Sequence, residues 1–454
     1  MRAIVFIAAL ALDAFSAQSD PMGAAAIARD IERQLSMARV PGAALAIVSG
    51  EEVFAGSYGI ADAESGAAMT PLTLMQIGSV TKVFTALAVA TALDRQALAP
   101  DTPVGQVKLG LSPRAATTTF HQLLSQTSGL RDRPGDSGDG DELALAASAR
   151  GLSSSDFLLP AGLVYSYSNL GYALAGAALE SLSRKGFADA LRESVLTPLG
   201  MERSTVRPSE ALSRPHATGH RLQREVATTI RPAANDTRIW PAGYLWTTAT
   251  DMSRALSALV NRGRVQGHPG LPPAIVDRVT TPHVSMPNVF VGGHYGYGLM
   301  IARDRGVLMY EHGGTLPGFA AILRVAPERQ LGIAILTNLD AAPLRRIAQS
   351  VMEKTLGLPE AAPPARAETP VSVEEMKAFV GRHENRGSAE IAVRDGAVML
   401  ILDEGPPLAV TRLGPDRFMA RPKPGAPGPE FVLQPATEKS PGYLHFALWA
   451  YVRR

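Results

Sequence analysis

The stretch Ile77-Gly78-Ser79-Val80-Thr81-Lys82, running on into Val83-Phe84-Thr85-Ala86-Leu87-Ala88-Val89-Ala90, decides the fold. The apolar run is helical, and a helix sets residues three apart on one face. The Ser79 hydroxyl and the Lys82 amine therefore point the same way. A serine hydroxyl is a poor nucleophile until a neighbouring base takes its proton. Lysine can be that base only where burial lowers its pKa, and the surrounding apolar residues favour burial. Gly78 lets the backbone turn tightly and leaves the helix N-terminus open. Its free N–H groups and partial positive charge suit a developing oxyanion. Taken alone, the Ser-x-x-Lys pair equally describes an N-cap serine followed by a solvated lysine.

Order and company decide between these readings. Tyr165-Ser166-Tyr167-Ser168-Asn169 follows downstream, and Glu311-His312-Gly313-Gly314-Thr315 lies further on between two strand-like runs. Serine β-lactamases and penicillin-binding proteins carry Ser-x-x-Lys, a middle Ser-Asp-Asn-like element and a Lys-Thr-Gly-like element in that order. Further matching stretches are Leu123-Leu124-Ser125-Gln126-Thr127-Ser128-Gly129-Leu130, Tyr167-Ser168-Asn169-Leu170-Gly171-Tyr172 and Pro317-Gly318-Phe319. Weaker ones are Pro241-Ala242-Gly243 to Thr248-Ala249-Thr250-Asp251 and Tyr295-Gly296-Tyr297-Gly298. On these residues the chain resembles the class C β-lactamase, DD-peptidase and family VIII-type esterase group, from about Ala26 to about Leu356.

Composition agrees with a globular enzyme. The chain has 454 residues, 46% hydrophobic and 19% charged, with a formal net charge of +2. It is long enough for a large core and more than one domain. The balanced charge gives no reason to invoke nucleic acid or an acidic membrane surface. The absence of cysteine excludes disulfides, thiol catalysis, zinc–thiolate sites and a lipid anchor on cysteine. Arg2, the apolar run Ala3 to Leu12 and the small residues of Ala14-Phe15-Ser16 read as a signal peptide over residues 1–17. A periplasmic or secreted protein is expected, with no stable membrane span in the mature chain.

Residues 22–358 read as one hydrolase domain. Met22 to Met37 has helical spacing, Gly42 to Val48 is an apolar strand, and Val53 to Ile60 returns across Ser49-Gly50 as a hairpin. From about Leu98 to Val206 the pattern is mostly helical. Gly135-Asp136-Ser137-Gly138-Asp139-Gly140-Asp141 is a polar insert that lacks the glutamate of a calcium loop and reads as solvated. Tyr297 to Ala302, Val307 to Glu311, Phe319 to Val325 and Leu331 to Thr337 read as four antiparallel strands, closed by a helix from Pro343 to Leu356. Strands at both ends with helices between suggest one antiparallel sheet built from distant segments. The resemblance implies an α/β (α+β) fold: that sheet flanked by helices, an inserted all-helical subdomain, and a cleft between them. Residues 359–370 are a Pro/Ala-rich linker. Residues 371–454 read as a small all-β domain, with Asp395-Gly396 turning one hairpin and Tyr443 to Val452 forming its last strand. This segment resembles a lipocalin-like C-terminal domain. It contains no catalytic constellation; support for the cleft or for partner binding is the role expected of it, and if it is accessory, loss of everything after Pro370 leaves the chemistry largely intact.

The resemblance implies the following roles. Ser79 is the nucleophile of an acyl-enzyme and Lys82 its proton acceptor. Tyr167, favoured over its rival Tyr165, shuttles protons as a phenolate or strong hydrogen-bond partner beside Lys82. Asn169 donates to a substrate carbonyl and to Lys82. The Ser79 and Thr315 N–H groups form the oxyanion hole. His312 and Gly314 line the substrate, with the histidine's charge following pH near neutrality. His216 and His220 lack ligand geometry, since Pro215 and Gly219 break the helix that would align them; no metal or cofactor is expected.

Two departures bear on substrate. His312 stands where related enzymes often carry lysine, and Gly313 replaces a hydroxyl residue. Both weaken capture of the carboxylate that β-lactams and D-Ala-D-Ala peptides present. The expected activity is hydrolysis of an ester, amide, D-amino-acid peptide or β-lactam. The alternative is a penicillin-recognising sensor that acylates without turnover, or a binding protein on the same fold.

Overall fold

Side-chain alternation along one strand explains the layering of the first domain. In the computed structural model, residues 23–50, 52–132, 138, 141–224, 226–287, 292–359, 367–423 and 425–453 are described. The expected signal peptide, most of the polar insert and residues 360–366 of the linker lie outside them. After helix α1 (Ala24–Met37) comes strand β1 (Gly42–Ser49). Ala43, Leu45 and Ile47 join one core while Ala44, Ala46 and Val48 join another. A period of two on a strand buried on both faces requires apolar residues at every position, as this segment has. β1 pairs with β2 (Glu52–Gly59) through a hairpin whose last pair is Ser49 with Glu52.

The sheet is completed from the far end of the hydrolase segment. Strands β3 (Met300–Asp304), β4 (Val307–Leu316), β5 (Phe319–Ala326) and β6 (Leu331–Thr337) follow one another as an antiparallel meander. The order is β2-β1-β6-β5-β4-β3, extended by the two-residue strands His294–Tyr295 and Val284–Ser285. This sheet is thus antiparallel throughout, as the family resemblance implied. One strand runs further than its apolar pattern. β4 continues past Glu311 through His312-Gly313-Gly314-Thr315, because Gly313 and Gly314 pair with Ile322 and Ala321 of β5. The third motif is therefore a strand edge facing the cleft.

Four further helices matter here. Helix α2 (Thr81–Arg95), which follows Ser79 and carries Lys82, is buried continuously from Thr81 to Leu93, and α3 (Asn169–Ser183) packs against it. Helix α4 (Ala249–Val260) covers one face of the sheet; α1 and α5 (Leu344–Thr355) cover the other. α2, α3 and the short helices around them form the inserted helical region, sharing one core with α4 and the sheet.

The C-terminal segment is an eight-stranded antiparallel barrel. Its strands are β7 (Gly381–Glu384), β8 (Ser388–Arg394), β9 (Ala397–Leu402), β10 (Leu408–Arg412), β11 (Arg417–Arg421), β12 (Glu430–Gln434), β13 (Tyr443–Phe446) and β14 (Trp449–Arg453). β14 pairs with β7, and β10 with β11, so the barrel closes. Asp395 and Gly396 form the β8–β9 turn, both at positive φ (50° and 75°) as a two-residue primed turn requires. The expected single strand from Tyr443 to Val452 is instead two. Ala447 adopts φ 50°, Phe446 pairs with Trp449, and the chain reverses over Ala447-Leu448. Neither residue is a turn former, so no local signal marks this reversal.

Candidate active site

The turn that carries Ser79 depends on two glycines meeting. Ser79 is half-buried in a short 3₁₀ turn, Gly78–Val80, that leads into α2. Gly78 has φ 51°, and a Cβ there would lie 2.4 Å from the Thr315 nitrogen. Across the gap, a Cβ on Gly314 would lie 2.0 Å from the Ile77 oxygen and 2.6 Å from the Ser79 nitrogen. Only glycine permits this approach. It brings the Ser79 and Thr315 amides side by side at the mouth of the cleft. Thr81 Oγ1 donates to Gly78 O (2.7 Å) and accepts from Leu245 N (3.1 Å), which secures the turn from behind.

Lys82 is wholly buried. Its Nζ donates to Asn169 Oδ1 (2.7 Å) and Ala242 O (2.6 Å), and makes a longer contact to Ser79 Oγ (3.4 Å). Burial depresses its pKa to about 7, against the opposing pull of Asp132 and with a smaller push from Arg386. Asn169 thus accepts from Lys82 where the sequence reading had it donate. The reason is that an ammonium has only donors.

Tyr167 is buried, with the Lys82 Nζ 4.6 Å from its ring centroid. Burial, reinforced by neighbouring Tyr295, holds its phenol well above the usual range, although a hydrogen bond with Ser79 pulls the other way. Of the two forms expected, the phenolate is therefore disfavoured because burying its charge is costly, and the neutral phenol, hydrogen-bonded with Ser79, is the one the site favours. Tyr165 points away into a core with Tyr295 and His445, at centroid distances of 5.3 and 6.2 Å.

His312 also departs from its expected behaviour. It is buried, and its Nδ1 donates to Gly313 O (2.7 Å) while Nε2 faces Tyr295 Oη (3.4 Å). Burial, with Lys82 nearby, lowers its pKa to about 3. It is a neutral imidazole at physiological pH rather than a group that titrates near it. His216 and His220 point their Nδ1 atoms at the carbonyls of Arg214 and Asn338, and His220 lies on a strand rather than a helix. Among the described residues, no group of three or more His, Cys, Asp or Glu could hold a metal ion.

Several cleft residues were missed because they lie in the barrel or depend on it. The cleft, of about 860 Å³, is lined by Ser79, Tyr167, Asn169 and His312, and also by Arg386, Leu448 and Trp449. The reversal over Ala447-Leu448 delivers Leu448 and Trp449 there, and Leu448 O accepts from Tyr167 N (2.9 Å). Trp449 stands edge-on to the Tyr167 ring. Beneath them sits Asp132, two residues beyond the Gly129-Leu130 motif and likewise missed. Its Oδ1 accepts from Asn169 N (2.9 Å) and its Oδ2 from Trp449 Nε1 (3.2 Å), with Arg386 3.7 Å away. Of the two roles expected of the C-terminal domain, its residues in the cleft wall agree with support for the cleft, and the reading of it as a mere accessory is revised. Sequence spacing could not reveal a wall supplied from residues so distant along the chain.

Comparisons with known proteins agree with this architecture. The β-lactamase family model matches residues 27–356. Penicillin-binding protein 4 of Amycolatopsis lactamdurans is 29% identical over 77% of this chain and 94% of its own length. The crystal structure of SurE superposes with a TM-score of 0.82 at 28% identity, over 95% of this chain and 98% of that one. SurE with D-Leu gives 0.78 at 26% identity, over 95% and 99%. Both matches are long enough to take in barrel as well as hydrolase domain. With its Ser79 turn, buried Lys82 and antiparallel sheet, and a family model matching most of its length, the chain belongs to the β-lactamase family.

Proposed function

We propose that the protein is a serine hydrolase that forms an acyl-enzyme on Ser79, using substrates whose acyl group ends in a D-amino-acid residue. The observation that carries the reading is the buried Lys82. Its Nζ lies between Ser79 Oγ, Asn169 Oδ1 and Ala242 O, with a pKa brought down to about 7 by burial. Neutral Lys82 takes the Ser79 proton as Oγ bonds to the acyl carbon. The 3.4 Å contact is one that tightens once substrate binds. The Ser79 and Thr315 N–H groups stabilise the oxyanion. Collapse expels the leaving group, which receives the proton relayed through the neutral Tyr167 phenol. Water then attacks, and the same groups run in reverse to release acid and free Ser79. Asn169 lines the acyl side of the cleft. Uncharged His312, with Gly313 beside it, favours ester and amide substrates that need no carboxylate at that position.

The D-configuration is supported by the likeness to SurE, whose structure was solved with D-Leu. The test is acylation by paired p-nitrophenyl esters of N-acetyl-D-leucine and N-acetyl-L-leucine, followed by intact mass, with benzylpenicillin as a third probe. The D-ester should acylate at least about tenfold faster, and Ser79→Ala should show no adduct. Adducts that persist in Ser79→Ala would sink the nucleophile. Equal D and L rates would sink the stereochemical assignment.

A further inference from the structure

Asp132, a buried carboxylate near Lys82, has no part in the proton transfers described above. Asp132 is 1% exposed and lies where three segments meet: the loop after Gly129-Leu130, the start of α3 and the barrel. Each contact of its carboxylate leads to a different part of the machinery. Oδ1 holds the Asn169 N–H, and the side chain of Asn169 accepts from Lys82. Oδ2 receives the indole N–H of Trp449, whose ring packs on Tyr167. Arg386, 3.7 Å from Oδ2, also lies over the Trp449 ring at 5.1 Å. The backbone completes the joint. Asp132 N donates to Asn385 Oδ1 (2.9 Å), and Asn385 Nδ2 reaches Ser166 Oγ (3.2 Å) and Ala450 O (2.9 Å).

We propose that Asp132 is a positioning residue through which the C-terminal barrel acts on the catalytic base: Trp449 and Arg386 hold its carboxylate, which in turn fixes Asn169 and sets the electrostatic field at Lys82. The inference rests on Lys82 being the base of Ser79. A carboxylate buried only to clamp two domains would need no place on the path to the lysine. This one is a single hydrogen-bonded residue away from it. Its charge is also balanced from the barrel side, because Arg386 opposes at Lys82 what Asp132 supports.

The other groups that face this pair do not compete with it. Tyr167 and Tyr172 present their rings to Lys82 at 4.6 and 5.6 Å. Their phenols, like those of Tyr165 and Tyr451 near Asp132, are held above the usual range by burial and stay neutral. His312, on β4, is neutral above about pH 3, and Arg345 faces it rather than Lys82. Asp132, itself held above the usual carboxylate range by burial against the opposing pull of Asn169 N–H and Arg386, and Arg386 are therefore the charged partners that bear on the base.

The test is the pH dependence of Ser79 labelling by a fluorophosphonate, followed by intact mass on the full-length protein. Wild type, Asp132→Asn, Arg386→Gln and Ser79→Ala are compared. Loss of the negative charge disfavours protonated Lys82, so in Asp132→Asn the acid limb should move down by roughly one pH unit or more. Loss of the positive charge does the reverse. In Arg386→Gln the limb should move up by a smaller amount, and high salt should erase that shift because Arg386 is partly exposed. A structural clamp predicts slower labelling with an unmoved midpoint. Profiles that superimpose after scaling, or that move in the same direction, overturn the inference. Labelling that survives Ser79→Ala overturns the nucleophile assignment instead. If Asp132→Asn does not fold, the sign and salt response of Arg386→Gln still decide.

Discussion

A lysine buried without a counter-carboxylate in direct contact is costly, and Lys82 shows how the site lives with that cost. Its amine is hydrogen-bonded to an amide oxygen and a carbonyl, and its pKa falls from the ordinary 10.5 to about 7. Between those values the unfolded chain binds the proton and the native chain does not, so this residue makes stability rise with pH. Lys82→Met should therefore abolish acylation yet gain stability relative to wild type. The gain should be a few kcal/mol at pH 7 or below and shrink toward pH 10, read from denaturant midpoints at both pH values. An unchanging difference would mean that Lys82 is not depressed. His312 gives the complementary case. It is neutral above about pH 3, so His312→Gln should leave the acid limb of the pH–rate profile where it is. A shifted limb would show that the imidazole carries charge during turnover.

At the scale of elements, the site is a close contact between the turn before α2 and the edge of β4. Gly78 and Gly314 allow it, and their replacements should differ sharply from that of the glycine between the motif residues. A Cβ on Gly314 would meet backbone at 2.0 Å, whereas one on Gly313 meets nothing nearer than Ala321 O at 3.9 Å. Gly314→Ala should lose essentially all acylation and at least about 2 kcal/mol of stability. Gly313→Ser should fold normally, with a melting temperature near that of wild type, and restores the hydroxyl that the motif lacks here. A Gly314→Ala protein that is stable and active would mean the two amides do not form one oxyanion site. Gly78 was legible from the sequence because its tight turn is local, whereas Gly314 read only as lining the substrate, and its close approach to the Ser79 turn comes from residues distant along the chain. That His312 and Gly314 share one face of a strand was legible too; the unbroken run of β4 from Val307 through Leu316 was not, since it comes from pairing with β5.

Over the whole molecule, the barrel is seated on the hydrolase domain by buried groups that dislike acid. His445 is buried, its Nε2 meets Tyr165 O (3.0 Å), and burial lowers its pKa to about 4. His312, inside the cleft, is lower still. Both histidines take up protons in the unfolded chain near pH 6.5 but resist them when native. The stability they allow is complete above that pH and is lost as pH falls toward 4 and then 3. Acidification through this window should detach the barrel before the hydrolase core melts, because the Tyr165–Tyr295–Leu448–Trp449 contact is a small satellite cluster. Intrinsic Trp449 emission, separated by Trp449→Phe, should change at a higher pH than far-UV circular dichroism. Coincident transitions would show that barrel and hydrolase domain unfold as one unit.

The sequence by itself determined what depends on neighbours along the chain. Ser79 and Lys82 share a helix face, Gly78 permits the turn, Asp395-Gly396 closes a hairpin, and alternating or continuous apolar runs mark strands with one or two buried faces. Only the tertiary structure decided what depends on residues brought together from afar. Burial makes Tyr167 and His312 neutral, and burial is a property of everything packed around them. The wall of the cleft comes from a turn at Ala447-Leu448 that carries no turn residue, and Asp132 acquires its place only when α3 and the barrel converge on it. Hydrogen bonds and desolvation act over a few ångströms of space, so a chain that reaches the site from several hundred residues away leaves no local mark of having done so.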